Sequence, residues 1–247
     1  FLYWQQDGFA STGYVAALVE ALRADPAAAA AYTDVQWFGD RVDREATPSV
    51  AGAPLERILE ALEAMSHIPL WGLIRTSMLP PAPAIRPSGD RSRELEFVFV
   101  ARLAARGSFA RVEEELYFKR SHAGATSHSF TAMPDERRRR GWAFTGAAIL
   151  HEALGHAEER DHGRLLGIVL DRLAIYRPGR QFYAFAGVHS ASSVREVALL
   201  LVAEAGIDLG DERWALRPGS GLERPIHPLV RQALDDERER SAQLRAD

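Results

Sequence analysis

"FLYWQQDGF" (residues 1–9) opens the chain, and its reading decides the fold. The stretch is apolar and aromatic at its start and runs to an acidic residue, Asp7, followed by Gly8. Read as a buried strand, it supplies the first element of an α/β sheet. A strand ending in a lone carboxylate carries that group to the carboxyl edge of the sheet, where α/β proteins bind their ligands. Asp7 is therefore the first candidate site residue.

Outward from that strand, hydrophobic spacing alternates between helical and extended periods. In "STGYVAALVEALRADP" (11–26), Tyr14, Leu18, Val19 and Leu22 recur at helical spacing. Ser11 or Thr12 is placed to cap the start, and Pro26 lies beyond the end. "AAYTDVQWFGD" (30–40) reads as a strand closed by Gly39 and Asp40, and the Pro-, Gly- and charge-rich stretch 41–53 as a loop. "PLERILEALEAM" (54–65) places Pro54 at a first helical position, with a stripe at Leu55, Ile58, Leu59 and Leu62. "HIPLWGLIRTSML" (67–79) reads as a short apolar strand and turn, with a Pro-rich loop at 80–89. "SRELEFVFVARLAARG" (92–107) reads as a helix closed by Gly107, and "SFARVEEELYFKRSH" (108–122) as a short strand followed by a second, aromatic one. This order predicts an α/β layer over residues 1–132. Residues 134–176 and 192–206 read as helices within a separate C-terminal region, 133–247.

Composition narrows the function classes. The 247 residues are 47% hydrophobic and 26% charged, with a net charge of −4, so there is no basic footprint for nucleic acid. The absence of cysteine excludes a disulfide framework, a thiolate metal site and a cysteine nucleophile. No run of 18 apolar residues and no signal peptide is visible, so the cytoplasm is the default, with peripheral membrane attachment left open. Among 30 basic residues the one lysine is Lys119.

Five pieces, in order, carry a resemblance: "YWQQDGF", "YVAALVEALRADPAAAAAYTDVQWFGD", "HIPLWGLIRTSML", "ELEFVFVARLAARG" and "FARVEEELYFKRSHAGATS". Together they resemble the second half of the catalytic domain of a GT-A-fold inverting glycosyltransferase of family two. The resemblance implies a Rossmann-like GT-A sheet over residues 1–132 without its N-terminal nucleotide-binding strands, and a helical extension over 133–247. The expectation is a piece of a longer transferase, because so apolar a strand and helix system calls for parallel neighbours.

The same resemblance implies a hexosyltransferase-type activity of the kind used in polysaccharide biosynthesis. A sugar would pass from a nucleotide-sugar donor to the hydroxyl of a glycan, lipid-linked or small-molecule acceptor. It implies Mn²⁺ or Mg²⁺ at Asp7, with His122 as a further ligand. Gly8 departs from the family pattern, standing where a second aspartate would be. The base is implied at Glu96, with Glu94 and Asp90 as alternatives, because deprotonating an acceptor hydroxyl needs a positioned carboxylate. Arg120 and His122 are implied at the diphosphate, and Trp71 and Arg75 on the acceptor side. Glu96 as an ordinary first-turn glutamate and Trp71 as plain core are the competing readings.

"ILHEALGHAEERDH" (149–162) offers a different chemistry, with His151, Glu152, His156, Glu158, Glu159 and His162 on one expected helix. His-Glu-x-x-Gly-His resembles the signature of the dipeptidyl peptidase III family of zinc peptidases. Its histidines are five apart, however, which rotates them about 140° from each other on a regular helix. Glu-x-x-His also occurs in di-iron bundles, which need a second such motif. Glu196 or Glu204 could add an acidic ligand. The alternatives to a transferase are thus a metal-dependent hydrolase or oxidase built on this helix, or a non-catalytic, transferase-derived binding subunit. "DERRRR" (135–140) could meet anionic headgroups, and the helical region could form a homodimer.

Overall fold

The structure is a computed structural model that describes residues 1–5, 7–79, 94–125 and 135–175, with parts of 193–201. Contacts divide the chain into two units, residues 1–80 with 95–132, and residues 81–94 with 133–247.

In the first unit the opening stretch is not a buried strand. Phe1, Tyr3 and Trp4 are 54%, 41% and 47% exposed, and among the described residues extended pairing before Asp7 is a lone bridge between Leu2 and Leu73. Strand β1 (Gly8–Ala10) starts only after Asp7 and lies at the edge of the sheet. A strand is buried only where neighbouring strands and a covering layer meet it, and one bridge at Leu2 does not bring the rings of Phe1, Tyr3 and Trp4 under such cover.

Helix α1 (Tyr14–Ala24) buries Tyr14, Leu18 and Leu22, one residue per turn of a single face. Its N-cap is Gly13, so neither Ser11 nor Thr12 takes that role, and no side chain caps it. Strand β2 (Ala28–Gly39) is buried without interruption from Ala28 to Val35, as a strand covered on both faces must be. The stretch read as a loop holds a short strand, β3 (Asp43–Glu45), antiparallel to β2. Helix α2 (Pro54–Ala64) begins on Pro54 and buries Leu55, Ile58, Leu59 and Leu62, the stripe that its spacing predicts. It ends on Met65 in the left-handed conformation, at φ 44°.

Two 3₁₀ turns, Ile68–Trp71 and Thr76–Met78, flank strand β4 (Leu73–Ile74), which pairs antiparallel with β2. Helix α3 (Glu94–Arg106) closes where the Gly107 N–H donates to the Leu103 carbonyl at 3.2 Å. Strand β5 (Ser108–Ser121) is one continuous strand where two were expected. A bulge at Glu113 and Glu114 absorbs the break, since Val112 pairs with Thr33 but Glu115 pairs with Asp34.

Among the described residues the sheet runs β1-β5-β2-β3, with β4 also on β2. β2 and β5 are parallel and the other pairs antiparallel. The fold is therefore mixed α/β around a mixed sheet. Beside the bulge, Asp34 is fully buried and clamped by two arginines. Arg111 donates from Nε and a terminal nitrogen at 2.7 and 2.8 Å, and Arg44 from a terminal nitrogen at 2.6 Å. The Arg111 hydrogen bonds, aided by Arg44, hold the Asp34 carboxyl below its ordinary range.

In the second unit, α4 (Asp135–Leu154) and α5 (His162–Ile175) are joined through a 3₁₀ turn at Glu159–Asp161. Glu158 and Asp161 cap that turn reciprocally. Most of the expected helix 192–206 lies outside the described residues. No helix among the described residues is long and apolar enough to cross a membrane.

Candidate functional site

The antiparallel pairing of β1 with β5 sets Gly8 opposite Lys119. The Arg120 N–H donates to the Asp7 carbonyl at 3.0 Å, which fixes Asp7 beside the carboxyl end of β5. That end carries Lys119, and His122 follows one residue beyond the strand. The Asp7 carboxylate thereby comes within reach of both. Its Oδ1 is 3.6 Å from His122 Nε2, and its Oδ2 is 3.9 Å from Lys119 Nζ. Lys119 also donates to the Gln5 side-chain carbonyl. The cluster sits at the carboxyl end of the parallel β2–β5 pair, the edge where open α/β sheets place their ligands.

Under the cluster lies an aromatic stack. The Lys119 ammonium is 5.6 Å from the centre of the Trp71 ring, which stacks on Tyr117 with centroids 5.7 Å apart. Trp37 and His67 meet Trp71 edge-on at 6.1 and 4.7 Å. His67 in turn meets Phe97 at 6.1 Å, so three rings join the start of α3 to the site. The Tyr14 hydroxyl donates to the Trp71 carbonyl at 2.5 Å, which ties the stack to α1. Burial pushes the Tyr117 phenol up to about 12, and the nearby Asp7 carboxylate adds to the rise.

The packing explains Gly8. A Cβ at that position would lie 2.8 Å from Tyr117 Cζ and 3.2 Å from the Phe118 carbonyl oxygen. A second aspartate beside Asp7 does not fit against this tyrosine.

The structure brings Asp7 and His122 together, but distributes the other expected residues differently. Arg120 alternates with Lys119 along β5, so it falls on the opposite face, beside Phe38. Trp71 is only 2% exposed, and its indole Nε1 is buried without a hydrogen-bond partner. Arg75 is committed to the end of α1. Its guanidinium donates to the carbonyls of Leu22, Ala28 and Asp25 at 2.7, 3.0 and 3.3 Å. Glu96 is half-buried in the first turn of α3. Asp90 and the Glu94 side chain lie outside the described residues. Lys119 was missed from the sequence. Its signal was strand alternation, which puts residues 117 and 119 on one face and 118 and 120 on the other.

Asp7 Oδ1 and His122 Nε2 can be tested as a metal pair. Atoms 3.6 Å apart can share one ion whose bonds are about 2.1 Å long. Among the described residues no group of three or more His, Asp or Glu gathers, so any ion here would draw its remaining ligands from water or substrate oxygens.

The histidine-rich segment does not form the single expected helix. α4 ends at Leu154 and α5 starts at His162, with the cluster spread over both and the turn between them. Glu152 and His156 do face each other, at 3.6 Å. Glu158 is paired with Arg160 at 3.2 Å. Glu196 is exposed, with its N–H held by the Ser193 hydroxyl at 3.2 Å, and Glu204 lies outside the described residues.

Comparison of the chain with family models, curated proteins and solved structures finds no match.

Proposed function

We propose that the first unit takes part in sugar transfer from a nucleotide-sugar donor to an acceptor hydroxyl, with inversion. The observation that carries this reading is the Asp7–His122 pair, 3.6 Å apart at the carboxyl end of the parallel strands. Loss of a nucleoside diphosphate leaves negative charge that must be neutralised where it develops. Asp7 and His122 would hold a Mn²⁺ or Mg²⁺ ion between them, and that ion would supply Lewis-acid neutralisation of the departing diphosphate.

Glu96 is the proposed base. A carboxylate there would accept the acceptor hydroxyl's proton as the oxygen attacks the anomeric carbon. The chain of rings Phe97, His67 and Trp71 supports this role, because it fixes the first turn of α3 to the wall of the site. Arg120, on the far face of β5, has no part in this scheme, and Arg75 acts by holding α1.

The test is release of nucleoside diphosphate from a panel of nucleotide sugars by the purified chain with Mn²⁺ and candidate acceptors. Asp7→Asn and His122→Gln are expected to abolish turnover, and Glu96→Gln to lower it by about 10²–10⁴-fold. Turnover that persists in all three variants overturns the assignment. Gly8 favours a second reading, a transferase-derived binding subunit, because packing excludes the second carboxylate. That reading is supported if nucleotide sugars bind but are not turned over at any Mn²⁺ level.

A further inference from the structure

An acidic pair at the end of the opening segment would place two negative charges where a diphosphate must bind, and would depend on a metal to reverse their sign. This site is built otherwise. Gly8 contributes no charge and is held free of side chain by Tyr117. The ammonium of Lys119, one strand across, stands in register with it. Asp7 and Lys119 together carry no net charge, so the site does not present the two negative charges of an acidic pair.

We propose that Lys119 is the diphosphate-holding residue of this site, binding the anion's oxygens through its ammonium with or without a divalent ion. The proposal rests on the sugar-nucleotide reading above and assigns the group that receives the donor's diphosphate. Several observations converge on it. Lys119 is the cation that β5 turns toward Asp7 and the aromatic stack, whereas Arg120 faces away. Its side chain is only 12% exposed, so water screens its charge weakly. Asp7 is its counter-ion at 3.9 Å, which holds the ammonium at the site. Gln5 and the Trp71 ring fix the ammonium from two further sides.

A fifth observation lies in the floor of the site. Trp71 Nε1 is a buried N–H with no hydrogen-bond partner, directly in the stack on which Lys119 rests. Buried donors are nearly always satisfied, and the Tyr117 hydroxyl beside it shares this state. Phosphate oxygens are acceptors only, and lysine meets them as a point charge.

Because Lys119 is the chain's one lysine, its amine can be followed without mutation. The first experiment is acetylation of the full chain in EDTA, with Lys119 modification read by peptide mass spectrometry as inorganic pyrophosphate is added. The expected result is at least fivefold slower modification of Lys119 at saturating pyrophosphate, with the terminal amine unaffected. An unchanged Lys119 rate overturns the proposal.

Calorimetry with pyrophosphate in EDTA extends the test. Lys119→Met is expected to weaken binding at least tenfold, Lys119→Arg to retain most of it, and Arg120→Met to leave it intact. Equal binding by wild type and Lys119→Met, or wild-type binding that appears only with Mn²⁺, rejects the assignment. If the methionine variant does not fold, the protection experiment on the wild-type chain still decides. Protection of Lys119 by pyrophosphate without turnover of any nucleotide sugar would keep the anion site and reject the transferase reading.

Discussion

Gly8 and Tyr117 are packed so closely that no side chain fits on the glycine: a Cβ there would sit 2.8 Å from the phenol's Cζ. The contact joins the short edge strand to β5 and sets the position of Asp7, one residue earlier. Gly8→Ala is therefore expected to destabilise the chain by about 1–3 kcal/mol, the range for overpacking a filled site. Urea unfolding checks this. Adding Tyr117→Phe should recover part of the loss, because the hydroxyl is the nearest obstacle. A Gly8→Ala chain as stable as the wild type would remove this account of the glycine.

The clamp on Asp34 makes stability depend on acid. Hydrogen bonds from Arg111, then Arg44, hold its carboxyl below the ordinary value of about 4. The unfolded chain therefore takes up the proton at higher pH than the folded one. The contribution is complete above the unfolded value and is lost as pH falls through the folded one. Asp34→Asn is expected to cost about 1.5–3 kcal/mol at neutral pH, since it weakens the charge-assisted hydrogen bonds that Arg111 and Arg44 donate to a fully buried carboxylate. It should also flatten the decline of the urea midpoint below about pH 4. A variant that keeps the wild-type slope would show that other carboxylates govern acid unfolding.

Met65 closes α2 in a left-handed conformation, φ 44° and ψ 40°, which costs a residue bearing a Cβ about 1 kcal/mol. Met65→Gly is expected to stabilise the chain by about 0.5–1 kcal/mol, because glycine adopts this C-terminal geometry without penalty. A raised thermal midpoint would agree, and a lowered one would mean that the methionine side chain contributes more in packing than its backbone costs.

Arg75 separates a structural role from an acceptor-binding one. With its guanidinium spent on three carbonyls around the end of α1, Arg75→Met should cost about 2 kcal/mol of stability. Once a donor and acceptor pair is found, KM for the acceptor should be unchanged in the folded variant. A raised acceptor KM with unchanged stability would return Arg75 to the acceptor site.

Local periodicity made much of the framework legible. The stripe of α2 buries the residues that its spacing predicts, and that of α1 buries Tyr14, Leu18 and Leu22 but leaves Val19 half-buried, because a helix facing a core repeats its apolar residues with its own turn. The strand over 30–40 was likewise legible, but the burial of Thr33 and Asp34 within it was not, because polar residues are buried only where partners distant in sequence satisfy them. The mixed nature of the sheet was not readable. Strand direction is set by partners distant in sequence, and the bulge that makes β5 one strand depends on its register with β2.

For the site, residue types spoke for themselves while their company did not. Asp7 and His122 were identifiable as groups able to hold a cation, but what set them 3.6 Å apart was the β1–β5 pairing. Lys119 rather than Arg120 faces Asp7 because strand alternation assigns neighbouring residues to opposite faces, and register decides which face meets the site. Gln5 and Lys119, 114 residues apart, touch through that same register. Sequence by itself determined the helices of the first unit, the central strand and the chemical repertoire, since each is encoded within a few turns of chain. The aromatic opening, the burial of Trp71 and the cluster around Asp7 were decided by tertiary structure alone, because an apolar residue is buried only where distant elements cover it.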